Sequence, residues 1–216
     1  MHPTPDQDSL ATVGMDRHWA DPAAIVSFDD GDPEENPWVN GPPAPAEIRI
    51  EAHSPNWADD FEMCKGLIAG ALPDIALRIE HIGSTAVPGL PAKPVIDIDL
   101  IVADPTQETR YVPGLAALGY VLTVRERTWY QHRMLSLHAP RVHLHVFGPG
   151  CPEHIRHLLF RDWLRDHPND RQRYARAKLA AKVGVTSGRD YNRNKEAVVR
   201  DIYRGIFVHH GWIGAS

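Results

Sequence analysis

The chain has 216 residues, of which 43% are hydrophobic, and its formal net charge is −5. This size and composition favour one compact domain with a full hydrophobic core and an extension. No apolar run is long enough to cross a bilayer, and the acidic N-terminus lacks the pattern of a secretory signal, so we expect a cytoplasmic protein without a membrane partner. Cys64 and Cys151 have neither the spacing of a zinc site nor that of a disulfide framework.

The charge is distributed unevenly along the chain. Residues 1–64 contain two basic and fourteen acidic side chains, whereas residues 156–204 contain thirteen basic and six acidic ones. The basic part could bind a phosphate-rich ligand, nucleic acid or the acidic part of its own chain. The sequence contains no helix-turn-helix, KH loop or RNP string, so a nucleic-acid partner has no motif in its favour.

The N-terminal part, residues 1–46, is rich in proline, aspartate and glycine and shows no sustained period, which predicts a flexible acidic arm. A helix is predicted from Ser54-Pro55 onward, because a capping residue precedes a proline at the first helical position. Its apolar residues, from Trp57 to Leu72, share one stripe and should pack on a sheet. We therefore expect a folded domain over residues 47–208 and a short tail over 209–216.

The domain alternates strands and helices. Strands are predicted over residues 76–82, 95–102, 120–124, about 131–137 and 142–147, and a helix opened by Asp104 and ended by Gly119 follows the second of them. Three further helices are expected near 152–167, 170–182 and 190–207. This order predicts an α+β fold with a mixed sheet, helices mainly on one face and a C-terminal helical tail that begins at about residue 152.

Two aspartates share one face of the second strand, VIDIDLIV over residues 95–102. Because successive strand residues face opposite sides, Asp97 and Asp99 point the same way. At a separation of roughly 6–7 Å, two ionised carboxylates repel by about 2–3 kcal/mol at an effective dielectric of about 20. A bound divalent cation would remove this repulsion, so the pair is a candidate metal-binding and catalytic centre. An isolated Asp-x-Asp pair is also typical of a solvated strand face.

A turn formed by Gly83, Ser84 and Thr85 follows the first strand, and twelve residues separate Ser84 from Asp97. Glycine lets the backbone approach a phosphate closely, and the amides of such a turn can donate to an anion. These three residues are therefore candidate phosphate ligands, although a turn of this composition also occurs without a ligand.

The stretch HIGSTAVPGLPAKPVIDI resembles the signature of the nucleotidyltransferase superfamily with the polymerase-beta fold, in the branch called the GrpB family. The strings SPNWADDFE, RVHLHVF, LLFRDWLRDHP, YARAKLA and YNRNKEAVV extend the resemblance over about residues 48–208. The resemblance implies transfer of a nucleoside monophosphate from a nucleoside triphosphate to an acceptor that the sequence does not identify. It also implies that Asp97 and Asp99 bind the metal and that Gly83 and Ser84 bind the phosphates.

A polymerase-beta-type site has a third carboxylate on a neighbouring strand, and here the corresponding strand reads RVHLHVF. If this strand lies beside Asp97 and Asp99, then His143 and His145 replace the third acid as metal ligands. The expected cofactor is a divalent metal, Mg or Mn, and histidine ligands favour Mn or Zn because Mg prefers oxygen. Two histidines on one strand are equally compatible with a role in packing or on the surface.

Several basic and aromatic residues are candidates for binding the triphosphate. Lys93 lies between the turn and the aspartate pair, while Lys178, Tyr191 and Lys195 match the Tyr/Lys pattern of the GrpB family in the helical tail. All are also compatible with solvated loop or helix faces. His154 and His157, three residues apart on a helix, could bind metal, although a capping or surface position is the more frequent role of such a pair.

Three functions are compatible with these patterns. The first is a metal-dependent nucleotidyltransferase. The second is a nucleotide-binding or regulatory module without catalysis, which the missing third acid favours; GrpB-like segments also occur behind some dephospho-CoA kinases, but this chain lacks the GxxxxGK[ST] segment, so kinase activity does not carry over. The third rests on the His-x-His strand, which resembles that of histidine-triad hydrolases, with Phe147 at the place of the third histidine.

Overall fold

The computed structural model of the protein describes residues 20–214. Six helices and five strands make up this part of the chain: α1 (Pro22–Val26), α2 (Asn56–Ala71), β1 (Arg78–Ile82), β2 (Ile96–Ile101), α3 (Glu108–Ala117), β3 (Val121–Glu126), β4 (His132–Leu137), β5 (Val142–Phe147), α4 (Pro152–Asp166), α5 (Pro168–Ala181) and α6 (Gly188–His209). All the predicted strands and helices are present with small shifts at their ends, and α1 was not predicted. No helix in this range has the length and apolar character to span a membrane.

The five strands form one mixed sheet in the order β1-β2-β5-β4-β3. Strand β2 pairs antiparallel with β1 and parallel with β5, and β4 pairs antiparallel with both β5 and β3. The sheet and the C-terminal helices confirm the predicted α+β fold.

One face of the sheet is apolar and is covered by α2 and α3. Ile98 and Leu100 of β2 and Leu144 of β5 have no exposed surface, and they pack with Ile68 of α2 and Leu115 of α3 in the main hydrophobic core. Because side chains alternate along a strand, burial of these residues directs Asp97 and Asp99 to the opposite, polar face.

The C-terminal helices and α1 form a second hydrophobic core. Its buried members are Ile25, Val87, Leu90, Ile155, Leu164, Tyr174, Ile202, Tyr203, Ile206 and Phe207. Helix α4 packs against β1. The tail therefore brings its basic residues to the polar face of the sheet.

Residues 20–39, which we call the N-terminal strap, pack against the domain. Ile25 is completely buried in the second core, and the backbone of Pro37 and Val39 bonds to Arg125 and Thr123 of β3. The structure differs here from the flexible arm expected over residues 1–46. A short apolar run that includes Ile25 packs into a hydrophobic site, although the average composition of the segment predicts flexibility. Residues 1–19 of that predicted arm lie outside the described range.

The strap is held by a buried arginine, Arg156 of α4, which is 1% exposed. Its Nη1 donates to the carbonyls of Ile25 and Ser27 at 2.9 and 3.1 Å, and its Nη2 donates to Tyr130 Oη at 3.0 Å and to Glu153 Oε2 at 2.6 Å. The guanidinium group thus ties the strap to α4 and to the turn between β3 and β4.

We expect Ile25→Ala to lower the free energy of unfolding by about 2–4 kcal/mol, because it opens a cavity in a fully buried site. Val39→Ala, at a residue that is 37% exposed, is the matched control and should change stability by less than about 0.5 kcal/mol. Urea unfolding of the full chain measures both values. Equal stability of the Ile25 variant and the wild type would mean that the strap is detached in solution.

Candidate functional site

The polar face of the sheet brings together the four residues that the sequence analysis assigned to a metal site. In the parallel pairing of β2 and β5, Asp97 lies opposite His143 and Asp99 lies opposite His145. The strand that carries the histidines is therefore the neighbour of the aspartate strand, as the argument about the missing third acid required.

Asp99 is fully buried and is paired with two histidines of α4. Its Oδ2 accepts hydrogen bonds from His154 Nδ1 at 2.8 Å and from His157 Nδ1 at 2.9 Å, and His157 Nε2 lies 3.4 Å from Glu153 Oε1. The predicted capping or surface role of these histidines is wrong. Their spacing of three residues on one helix face was the available signal, but only the packing of α4 shows that the face meets Asp99.

The pairing changes the electrostatics that the sequence alone predicted. Burial by itself would raise the pKa of Asp99, but the charge of His157 and the hydrogen bonds from both histidines hold that pKa well below its usual value. Burial likewise opposes protonation of His157, yet Asp99 and Glu153 raise its pKa well above the usual value. The imidazolium of His157 therefore balances Asp99, so the repulsion expected between the two aspartates is already offset by the protein.

Asp97 is the accessible member of the pair. About 30% of its side chain is exposed, and its Oδ1 lies 3.5 Å from His143 Nδ1. Burial would raise the pKa of Asp97, but the neighbouring histidines, His143 first, keep it below the usual value. Gly83 has a φ of +68°, and a Cβ at that position would lie 2.5 Å from Asp97 Oδ2. Glycine is thus required there both by backbone conformation and by the closeness of the carboxylate.

The turn residues divide into two groups. Ser84 is half-buried, and no hydrogen bond of its hydroxyl is found within residues 20–214. Thr85 differs from the prediction that it binds phosphate: its buried hydroxyl donates to the Val95 carbonyl at 3.2 Å and is 3.0 Å from His81 Nε2. The Thr85 side chain therefore fastens the turn to the sheet.

Three lysines and two tyrosines from the loop before β2, from α5 and from α6 form what we call the lysine–tyrosine cluster. Lys93 Nζ lies 4.1 Å above the ring of Tyr191, and Lys195 Nζ lies 5.3 Å from the same ring. Lys195 also donates to Tyr174 Oη at 3.3 Å, and Lys178 Nζ lies 5.4 Å from the ring of Tyr174. The fold thus joins the four residues that the sequence analysis assigned to the triphosphate.

The cluster is a concentrated positive charge next to Asp97. Burial, and then repulsion from Lys195, lowers the pKa of Lys93 to about 8 and that of Lys178 to about 7, while Asp97 partly opposes both shifts. The hydroxyl of Tyr191 is buried and has no hydrogen-bond partner in the described part of the chain. An anion bound here would satisfy this hydroxyl and relieve the repulsion among the lysines.

A carboxylate and two histidines form a hydrogen-bonded chain on the same face. Glu126 Oε2 lies 2.6 Å from His132 Nδ1, and His132 Nε2 lies 3.0 Å from His145 Nδ1. Burial lowers the pKa of His145 to about 3, so this imidazole is neutral. Sequence analysis missed Glu126 and His132, because their contact with His145 depends on the register of β3, β4 and β5.

The predicted metal set is present on one face but is not assembled around one point. Over residues 20–214, no three histidine, cysteine, aspartate or glutamate side chains are placed to hold a metal ion. The oxygens of Asp99 are already used by His154 and His157. Asp97 and His143 are both about one third exposed and are 3.5 Å apart, so a carboxylate and an imidazole that suit Mn or Zn are accessible together. The donor chemistry fits a cation at Asp97.

Comparisons with known proteins concern most of the chain. The sequence model of the family described as GrpB protein matches residues 47–205. A UPF0157 protein of Halalkalibacterium halodurans is 46% identical over 163 residues, which cover 75% of this chain and 84% of that protein. The crystal structure of the conserved protein GrpB from Enterococcus faecalis has a TM-score of 0.58 and 26% sequence identity, and the match covers 72% of this chain and 99% of that one.

A further relative has a different name. A dephospho-CoA kinase of Mycobacterium tuberculosis is 33% identical over 164 residues, which cover 64% of this chain but only 40% of the kinase. The matched segment is less than half of that kinase. The name of the kinase therefore describes a larger protein than the segment that the two chains share.

Proposed function

The chain belongs to the GrpB protein family, and we propose that it is a nucleotidyltransferase, which moves a nucleoside monophosphate from a nucleoside triphosphate to an acceptor hydroxyl or phosphate. In this reaction the acceptor oxygen bonds to the α-phosphorus, the bond from that phosphorus to the bridging oxygen breaks, and pyrophosphate leaves. With a hydroxyl acceptor, one proton is released.

The lysine–tyrosine cluster is the observation that carries this proposal. Lys93, Lys178 and Lys195 come from three separate elements, and each contacts one of the two tyrosine rings close to Asp97. Lys178 is buried and Lys93 and Lys195 are half-buried, and holding three cations together in this way is unfavourable without an anion. A triphosphate supplies several negative charges. The turn at Gly83 lies directly beside Asp97, since a Cβ at Gly83 would be 2.5 Å from Asp97 Oδ2. The site therefore suits a phosphate chain that extends from the lysines to Asp97.

Asp97 and His143 would hold a divalent metal, with Asp99 behind them. Such an ion, when bound, would neutralise the phosphate oxygens at the reacting phosphorus. The protein's own contribution is positional: Lys93, Lys178 and Lys195 bind the phosphates, and the buried Asp99 keeps His157 charged beneath the site.

A non-catalytic nucleotide-binding or regulatory module of the same fold is the second candidate. It is favoured by the engagement of both Asp99 oxygens with His154 and His157 and by the lack of a third carboxylate on β5. The dephospho-CoA kinase relative is compatible with an accessory role in coenzyme A metabolism. Such a module would bind the nucleotide and release no pyrophosphate.

Pyrophosphate release separates the two functions. The full chain is incubated with Mn²⁺ and each nucleoside triphosphate in turn, with and without a small-molecule extract of bacterial cells as the source of acceptor. A transferase forms pyrophosphate, and Asp97→Asn abolishes its formation while the fold is retained. Binding of nucleotide without pyrophosphate under every condition would support the module instead.

Anion affinity should fall as the pH rises. Because Lys178 and Lys93 have pKa values lowered to about 7 and about 8, a bound triphosphate favours their protonated forms, so binding takes up protons above neutral pH. From pH 7 to pH 9 we expect the Kd to rise on the order of 10- to 100-fold. Calorimetry with an ATP analogue that carries a methylene between the α- and β-phosphorus, in chelator, measures this. A Kd independent of pH would remove these lysines from the site.

A further inference from the structure

The hydrogen-bonded chain of the side chains Glu126, His132 and His145 has no part in the binding of phosphate or metal described above. Its members occupy three neighbouring strands on the polar face, with Glu126 opposite His132 in the register of β3 and β4. The two hydrogen bonds have lengths of 2.6 and 3.0 Å, and the rings of His132 and His145 are stacked with centroids 5.2 Å apart. The arrangement holds His145 both by packing and by hydrogen bonding.

The order of donors in this chain determines which nitrogen of His145 carries the hydrogen. An ionised Glu126 can only accept, so His132 Nδ1 is the donor. When its second ring nitrogen carries no hydrogen, His132 has a lone pair at Nε2, which accepts from His145 Nδ1 at 3.0 Å. His145 is left with a lone pair at Nε2, next to the strand of Asp97 and Asp99.

Transfer to a hydroxyl requires an electron pair that accepts its hydrogen bond at the site. Asp99 is unsuitable because its oxygens already accept from His154 and His157. His145 faces the same side of the sheet as Asp97. The charges of Asp99 and Asp97 act to raise its pKa, against the larger effect of burial. For His145 Nε2, residues 20–214 contain no hydrogen-bond partner.

We propose that Glu126 and His132 are positioning residues that hold His145 in the Nδ1–H tautomer, so that its Nε2 accepts the hydrogen bond of the acceptor hydroxyl. The inference rests on the proposed transferase function and narrows the acceptor to a hydroxyl compound. In metal sites, a carboxylate that bonds to a ligating histidine fixes the orientation of the imidazole in the same way. Removal of such a carboxylate commonly lowers metal affinity or activity about 10- to 100-fold.

The tautomer is read directly by ¹⁵N NMR of the histidine rings in the full chain at pH 8, without nucleotide. Absence of the His145 signals in His145→Gln assigns them. We expect Nδ1 protonated and Nε2 unprotonated in the wild type, and a shift toward the Nε2–H form in His132→Phe, which keeps the ring stacking but removes both hydrogen bonds. His138→Gln, at an exposed turn residue, is the control and should leave the His145 signals unchanged. A wild-type His145 protonated at Nε2, as a doubly protonated His132 would cause, overturns the proposal.

Reaction rates test whether His132 positions His145 for the reaction in addition to supporting the fold. At saturating ATP, His132→Phe should release pyrophosphate about 10- to 100-fold more slowly, with the ATP Kd and the melting temperature unchanged. An altered tautomer with an unchanged rate would overturn the positioning role. A wild type that releases no pyrophosphate overturns the proposed function and the hydroxyl acceptor. The NMR measurement is made without nucleotide, so it tests the tautomer of His145 independently of that function.

Discussion

Replacing Asp99 by Asn should lower the free energy of unfolding by about 3–5 kcal/mol, the usual cost of removing one partner of a buried ion pair. Asp99 is fully buried, accepts hydrogen bonds from His154 and His157, and balances the charge of His157. Asparagine keeps one acceptor oxygen but removes the charge. Asp97→Asn is the matched control on the same strand face, and because that side chain is about 30% exposed it should change stability by less than about 1 kcal/mol.

The loss should depend on pH in a defined direction. The raised pKa of His157 contributes stability below its unfolded value of about 6.5, and this contribution is lost as the pH rises through the folded value. The lowered pKa of Asp99 contributes stability above its unfolded value of about 3.9, and it is lost as the pH falls through the folded value. The gap between wild type and Asp99→Asn should therefore be largest from about pH 4 to 6.5. Urea unfolding in chelator at pH 5.5 and pH 8.5 tests this, and equal stability at pH 5.5 would contradict the ion pair.

Lys178→Met should weaken binding of the methylene-bridged ATP analogue by about 30-fold or more, because loss of a buried charge that pairs with a ligand costs about 2–5 kcal/mol. Lys178 is 2% exposed and donates to the Pro91 carbonyl at 2.6 Å, so its ammonium group is fixed in place. The lowered pKa means that the folded protein disfavours this charge when no anion is bound. The variant should consequently be at least as stable as the wild type at pH 7.

Lys182→Met is the matched control, since Lys182 lies one turn after Lys178 at the C-terminal end of the same helix and is not part of the lysine–tyrosine cluster. It should bind the analogue with nearly wild-type affinity. Weak binding of the analogue by Lys178→Met, together with unchanged or raised stability, would show that Lys178 binds the ligand and does not stabilise the fold. Undiminished affinity in Lys178→Met would instead make this lysine a structural hydrogen-bond donor to Pro91.

Local patterns were sufficient to predict most of the fold. Alternation along β2 placed Asp97 and Asp99 on one face, and the apolar sides of β2 and β5 required the two strands to share a core. The strap could not be predicted in the same way. Ile25 belongs to a short apolar run in an acidic, proline-rich segment, and its burial depends on a groove formed largely by helices more than a hundred residues away.

The candidate site was predictable where one strand or one motif contains it. The aspartates, the turn and the strand histidines are local, and the basic and tyrosine residues of the tail were found by resemblance. The partners of Asp99 and of His145 were not predicted, because His157 and His132 reach them only through the packing of α4 and the register of β4. Sequence patterns therefore identify the polar side chains of the site. They do not identify which of these side chains pair with one another through hydrogen bonds or opposite charges.

The strap also affects how the protein should be produced. The family match begins at residue 47, so a recombinant fragment cut at that boundary would omit residues 20–39. The guanidinium group of Arg156 would lose the carbonyls of Ile25 and Ser27, and the apolar surface around Tyr203 and Phe207 would meet water. Exposed apolar patches of this kind promote aggregation. Poor solubility of such a fragment would be a property of the cut, and expression trials should begin no later than residue 20.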